Sequence, residues 1–419
     1  MFRKFFAVLC GLLLALQLCP AYVKQAKAFS GGDGSEMHPY IVGTAAELDA
    51  VRNELAAHYR LSNDIDLTGY LSAGKPGYNG GEGWEPLGDW WSPFAGVFDG
   101  NGYRITGLWM ERPGMDQTGL FGYVHAGGRV ENLSVKTAAA GVIGKDQVGM
   151  LAGSVGTGSL VNCAAEGYVK GDYFVGGLVG YAGGGEIYTP HIADCRAAGS
   201  VASNTYYAGG LVGFWAGAGT VAKCYASADV TSKVGAAGGF VGSASLGRIE
   251  NCYAMGSVSC AGSNAGGFAG VVADYGAITI DNCYAVGSTS GGYPSRTGGI
   301  VGWIGIYGAT LTDCFFDLET TGQTEGIGSG GGPEGKSSAE MKTKSTFTDA
   351  GWDFTAIWDI SAAQNSGYPF FLAPISRTRG ESPQMGDGGG TFWLLLGGGA
   401  LLLAACVLSA ARRHKRKTT

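Results

Sequence analysis

Several arrangements that carry chemistry are missing from this 419-residue chain. Its five histidines, His38, His58, His125, His191 and His414, form no H-E-x-x-H pair, which removes the helical zinc-peptidase site. No G-x-S-x-G is present, so the nucleophile elbow of serine hydrolases is absent. None of the ten cysteines stands in a C-x2-C pair, the usual unit of a structural zinc site. No catalytic residue, metal ligand or cofactor is assigned on these grounds. Charge is scarce too, at 15% of residues, and basic charge is the scarcer. Nine of the 28 basic side chains lie in the terminal segments 1–28 and 392–419, which hold no acidic residue. The 19 that remain face 34 acidic ones across residues 29–391, a formal charge of −15. Such a surface repels phosphates and excludes nucleic acid as a partner.

Glycine is in excess instead, with 77 residues against a usual ~7%. The chain also keeps many Val, Ile, Leu and aromatic residues, so it is not a disordered glycine-rich polymer. Glycine and apolar residues together suggest many short strands joined by tight turns.

The two ends read as membrane signals. Arg3 and Lys4 precede an apolar run from Phe5 to Leu18, and Ala26-Lys27-Ala28 fits a cleavage site, so residues 1–28 read as a secretory signal. Residues 392–411, from Phe392 to Ala411, are 20 positions without a charge, which suits one membrane-spanning helix. The basic residues of 412–419 belong in the cytoplasm. The middle of the chain is then expected at the cell surface, as an extracellular domain anchored in the plasma membrane.

A cysteine recurs at Cys163, Cys195, Cys224, Cys252, Cys283 and Cys314, spaced by 32, 29, 28, 31 and 31 residues. A phrase of the type G-G-apolar-apolar-G ends at Gly180, Gly213, Gly242, Gly270 and Gly302, with weaker copies ending at Gly122 and Gly153. The two series keep step, giving seven copies of a unit of about 30 residues. Each unit reads as three short segments: the glycine phrase, a run such as Ile249 to Cys252, and a "GSV" type. Ile249 and Cys252 are three apart and would face opposite sides of one strand, yet both positions are apolar in nearly every copy. Asn or Asp stands before most of the cysteines and tolerates left-handed backbone, so a corner is expected there, with Ile and Cys on two walls facing one interior. Units of this size are too short for propeller blades. The expected fold is all-β: a parallel β-solenoid (β-helix) of about seven coils of ~30 residues with a helical N-terminal cap, plus one C-terminal transmembrane helix. The cysteines then form one inward column of small apolar groups, reduced rather than bridged.

Thr44-x-x-Glu47 is a capping box followed by Leu48, Val51 and Leu55 at helical spacing, which predicts the cap. Ser337-x-x-Glu340 is a second, and the glycine-rich "TGQTEGIGSGGGPEGKSS" before it reads as a flexible connection. Its Gly326-x-Gly328-x-x-Gly331 matches a dinucleotide fingerprint formally, without the strand and helix that motif requires. Asn63 to Leu67 and Asp99 carry oxygens of the kind calcium takes, but fit turns better. Asp172, Glu186, Asp229, Glu250, Asp274 and Asp281 fall at differing offsets in their units, unlike the paired carboxylates of a polysaccharide lyase or hydrolase.

Tyr225, Tyr253, Tyr284 and Phe315 each follow a repeat cysteine. If the cysteine points in, these rings point out and stack as an aromatic stripe. Such a stripe is a candidate binding site for a glycan or protein ligand. Its other reading is a structural ladder covered by a loop.

"VGGLVGYAGGG" and "AGGLVGFWAGAGTVAKCYASADV" resemble the GLUG repeat of large bacterial surface proteins, which also occurs beside some secreted metallopeptidases. The flanking "PFAGVFDGNGYRITGL", "GWDFTAIWDI" and "NSGYPFFL" are similar to segments that border such repeats, so the resemblance covers roughly residues 39–372. It implies a β-helix-like surface module and names no ligand. The domain plan is a signal at 1–28, an N-terminal cap and first coils at 29–115, GLUG-type solenoid repeats at 116–318, a C-terminal cap segment at 319–372, a linker at 373–391, the span and the tail. Within the linker "SPQMGD", Ser382 to Asp387, resembles a Gram-positive sorting signal, at which a sortase would join the chain to the cell wall. Met385 stands where such signals have Thr, and a pocket shaped for Thr accepts Met poorly. Retention in the membrane is therefore expected over wall attachment. The expected function is that of a non-enzymatic adhesin, binding module or spacer, the alternative being a carbohydrate-active β-helix enzyme.

Overall fold

The structure is a computed structural model that describes residues 29–372. The signal at 1–28, the sorting-like Ser382 to Asp387, the expected span at 392–411 and the basic tail at 412–419 lie outside the described residues. Among those described, no helix is long and apolar enough to cross a membrane.

One unit shows how the chain winds. Thr220–Ala222 lies in a first wall, Tyr225–Ser232 in a second, Ala236–Gly238 in a third and Val241–Ala244 in a fourth, after which Arg248–Glu250 returns to the first. Each strand pairs in parallel with its counterpart one unit away: Val221 stands beside Ile249, and Ile249 beside Ile280. The four walls hold ten, twelve, six and seven strands. This is a parallel β-solenoid of about seven coils.

The expected corner lies between the first and second walls. Asn132, Asn162, Asp194, Lys223, Asn251, Asn282 and Asp313 all have φ between 49 and 54°. That left-handed kink turns the chain within one residue, so Ile249 and Cys252 both face the interior. At the N-terminal coils the corner amides form a ladder, Asn162 Nδ2 donating to Asn132 Oδ1 at 2.8 Å and Asn132 Nδ2 to Asp99 Oδ1 at 3.0 Å. The six repeat cysteines lie in one buried column, with Leu133 in the equivalent place one coil earlier, and Cys260 is buried in the second wall. All seven of these thiols are free.

Two expectations need correction. Each coil has four strands and not three, because the glycine phrase divides between two walls. Gly209 ends a strand of the third wall and Val212 begins one of the fourth. A Cβ on Gly209 would sit 1.9 Å from Val212 O, and one on Gly210 would sit 2.0 Å from Gly239 O. Only a side chain of hydrogen lets the chain fold back there at this separation. The glycine-rich stretch after Thr321 is not a loose connection: Glu325 O and Gly326 O accept bonds from Gly299 N at 2.8 Å and Ile300 N at 2.9 Å. Glu334–Lys336 then adds a last strand to the second wall. The stretch is a partial further coil, and it holds no βαβ unit.

The N-terminal cap forms as expected. Thr44 Oγ1 accepts from Glu47 N at 3.1 Å, starting a helix at Ala45–Ala50 that buries Leu48 and runs on into a turn burying Val51. The carboxylates of "NDIDL" bond backbone amides: Asp66 Oδ1 accepts from Thr68 N at 2.9 Å within a turn, and Asp64 Oδ1 accepts from Arg104 N at 2.9 Å, 40 residues on. Asp99 is held by Asn101 N at 2.8 Å, by Asn132 and by Arg60.

Candidate binding surface

The predicted stripe stacks as a ladder. The ring centroids of Tyr225 and Tyr253 are 4.8 Å apart at 2°, and those of Tyr253 and Tyr284 4.9 Å apart at 5°. The C-terminal segment folds back over it, so that Tyr253, Tyr284 and Phe315 are 4%, 0% and 8% exposed and Tyr225 is half-buried. Met341, Phe347, Trp352, Trp358, Tyr368 and Phe371 form the covering cluster. Polar anchors fix this strap. Trp352 Nε1 donates to Asp313 O at 3.0 Å and Trp358 Nε1 to Asn251 Oδ1 at 3.2 Å, both at corner residues. Asp317 accepts from Tyr368 Oη at 2.8 Å and from Ser338 Oγ at 2.7 Å. Ser337 and Glu340 cap the turn that carries Met341. In this arrangement the four rings have packing partners on the strap, the covered form of the ladder.

A second set of aromatic rings lies over the third and fourth walls, with Tyr123 and Phe214 buried and Trp90, Tyr206 and Tyr275 exposed, and sequence reasoning did not single it out. Trp90 stacks on Tyr123 at 5.3 Å and 10°, Tyr123 on His125 at 5.0 Å and 9°, and His125 on Tyr188 at 5.6 Å and 25°. Further along the coils, Tyr173 stacks on Tyr206 at 4.9 Å, and Phe214 touches Phe174, Tyr181, Tyr207 and Tyr275 at 5.1 to 5.7 Å. The two groups adjoin, since Tyr188 perturbs both the Tyr123 and the Tyr181 hydroxyls. Burial, and then these neighbours, push the Tyr123 hydroxyl up to about 12, so it stays protonated and can donate or accept. Thr157 N donates to His125 Nδ1 at 3.0 Å, which leaves the ring proton on Nε2. The signal was present in "YFVGG" and "YYAGG", where an aromatic pair precedes the glycine phrase in consecutive units.

The carboxylates flagged in the sequence are dispersed. Glu250 and Asp281 share Arg248 on the first wall, Asp229 accepts from Ser257 N at 2.9 Å on the second, and Asp172 accepts from Asn204 at 2.8 Å at a corner. Glu186 and Asp274 sit on loops between the fourth and first walls. Among the described residues no group of three or more His, Cys, Asp or Glu is placed to hold a metal ion.

The family model described as "The GLUG motif" matches residues 173–202, 204–231 and 234–259. The chain carries GLUG repeats. Each GLUG match spans one coil, entering at the third wall and leaving from the second. Over 112 residues the chain is 46% identical to a "Putative Gly-rich membrane protein" of Evansella cellulosilytica, covering 26% of this chain and 12% of that protein. Over 155 residues it is 36% identical to "Halomucin" of Haloquadratum walsbyi, covering 36% and 2%. The chain thus matches only a small part of either relative. The crystal structure of a "putative immunoglobulin A1 protease" from Bacteroides ovatus superposes with a TM-score of 0.52 at 22% identity, over 82% of this chain and 95% of that one. That likeness concerns the fold alone.

Proposed function

We propose that this GLUG-repeat chain is a surface-displayed, non-enzymatic β-solenoid that acts as an adhesin, binding module or spacer, and of these the binding module is the reading favoured. The observation that carries the reading is the aromatic set over the third and fourth walls, where Trp90, Tyr206 and Tyr275 are 55%, 45% and 63% exposed. Partly exposed rings on a rigid scaffold suit recognition, whereas the six carboxylates singled out in the sequence are spread over different walls, a corner and loops and are not set as a facing acid and base pair across these rings. The test is to incubate the full-length chain with glycan and matrix-protein arrays and assay the bound polymers for new reducing ends or cleaved peptides. Binding without turnover is expected, and turnover would overturn the non-enzymatic reading.

Display follows from the two ends of the sequence, and retention in the membrane through Phe392 to Ala411 is preferred because Met385 replaces the expected Thr. Cell fractionation tests this. Extraction by detergent alone, with the basic tail intact, is expected. Release by muramidase with Met385 joined to peptidoglycan would establish wall attachment instead.

A further inference from the structure

We infer that the aromatic patch running from Trp90 to Tyr275 is a binding site for a neutral polysaccharide lying along the solenoid axis. The inference rests on the reading of the chain as a binding module and names its ligand class.

The first observation is a pair of displayed indoles. Trp90 and Trp91 are 55% and 88% exposed, although burial is the usual fate of tryptophan. Their turn is fixed: the Asp89 carboxylate accepts from Trp91 N at 2.8 Å and Ser92 N at 2.7 Å, and Asp89 N donates to Ser92 O at 3.0 Å. Trp90 is further held by its stacking on Tyr123. Rings already set in place lose little entropy on meeting a ligand. A planar π face receives the C–H groups of a pyranose, while indole N–H and phenol O–H groups bond its hydroxyls.

The second observation is the repeat distance. Counted by strand register, the coils of Trp90 and Tyr275 are six rises apart along the fourth wall. At ~4.8 Å per coil this spans roughly 29 Å. The patch is therefore long enough to take several sugars of an extended chain, its rings coming from different positions of the coils and from the loops that carry Trp90, Tyr188 and Tyr275.

Charge decides the class of polymer. Asp116, Asp146 and Asp172 stand at one corner of three successive coils beside Tyr173 and Tyr206. Burial and then Asp116 raise the Asp146 carboxyl above the ordinary aspartate range; Lys145, 3.5 Å from Asp116 and 3.7 Å from Asp146, offsets part of this and Asp172 adds to it, leaving three carboxylates against one ammonium. Carboxylates accept hydrogen bonds from sugar hydroxyls but repel uronates and sulfates. Protein interfaces instead deplete carboxylates at their centre and enrich Arg and Met.

Affinity electrophoresis of the full-length chain in detergent tests the inference, with hydroxyethylcellulose and galactomannan as neutral probes, polygalacturonate as the anionic probe and fibronectin as the protein probe. Retardation by a neutral probe and not by polygalacturonate is expected. Trp91→Ala and Tyr206→Ala are each expected to weaken it about tenfold, while Tyr206→Phe keeps the ring and most of the affinity. Trp91 is too exposed for its loss to unfold the chain, so unchanged retardation of Trp91→Ala and Tyr206→Ala would overturn the site. Preference for polygalacturonate would overturn the ligand class. Binding of fibronectin alone would overturn the glycan assignment and leave the binding-module reading standing, and binding of no probe would count against both.

Discussion

The Tyr284 hydroxyl donates a 2.6 Å hydrogen bond to the Pro369 carbonyl, 85 residues further on, and accepts one from the Asn365 amide at 2.9 Å. One ring of the ladder thus holds the strap that covers it. Tyr284→Phe is expected to cost about 1 kcal/mol, since Asn365 still reaches Pro369 O at 2.7 Å. Tyr284→Ala, which also empties the ring's place among Trp352, Trp358 and Tyr368, is expected to cost about 3–5 kcal/mol. Urea denaturation measures both. Equal effects would mean that the ring contributes nothing beyond its hydroxyl.

Asp317 makes the strap sensitive to acid. Burial pushes its carboxyl up, but bonds from Ser338, Thr320 and Tyr368 outweigh that and hold it below its ordinary value. A depressed folded value stabilises the fold above the unfolded aspartate pKa of ~3.9, and the contribution is lost as pH falls through the folded value. Asp317→Asn is therefore expected to lose about 2 kcal/mol at pH 7, with the gap to the parent chain closing below ~pH 3.9. Melting temperatures of the two across pH 2–8 check this. A gap independent of pH would show that charge is not involved.

At the corner, Asn132→Val is expected to cost about 3–4 kcal/mol. A branched side chain at φ 52° is strained by ~1–2 kcal/mol. The amide bonds to Asn162 and Asp99 are lost as well, at roughly 1 kcal/mol each. Asn132→Gly removes only the amide bonds and should lie in between. If Val and Gly prove equal in thermal denaturation, the left-handed backbone is not what selects the residue.

The glycine fold between the third and fourth walls should accept no methyl group. Gly210→Ala puts a Cβ against the Gly239 carbonyl, a backbone atom that cannot step aside, and about 3 kcal/mol or more is expected to be lost. Gly114→Ala, with nothing within 4 Å, is expected to stay within ~0.5 kcal/mol. Soluble yield and circular dichroism of the pair would separate them.

The cysteine column should be chemically silent. Burial raises the Cys163, Cys195, Cys224 and Cys283 thiols well above their ordinary range, and thiolate is the reactive form; at Cys252 burial is outweighed by the Cys224 and Cys283 thiols, which lower it, so there the complete burial of the side chain is what keeps a reagent out. Maleimide is expected to label none of Cys163, Cys195, Cys224, Cys252, Cys260, Cys283 and Cys314 in the folded chain and all seven after denaturation. Cys252→Ala is expected to cost about 1–2 kcal/mol, whereas Cys252→Asp, which buries an unpaired charge, should prevent folding. Labelling before unfolding would place the column elsewhere.

Features that depend on short-range rules repeated in register were legible in the amino-acid order. The ~30-residue period, the inward cysteines, the left-handed residue before each of them and the Thr44 cap all follow from the need of a coil to turn, to bury one face and to satisfy the ends of its backbone. Features that depend on residues far apart emerged only in the folded chain. The division of the glycine phrase between two walls is fixed by the carbonyl of Gly239 meeting Gly210, a contact between coils. The covering of Tyr253 and Tyr284 is fixed by Trp358 and Phe371, whose own sequence carries no sign of where they dock. The patch from Trp90 to Tyr275 draws its rings from unlike positions of different coils and from inserted loops, so no column of the repeat contains it. A repeat predicts what stacks on itself; what folds across the stack has no period and is set by the energy of contacts that only the assembled coils create.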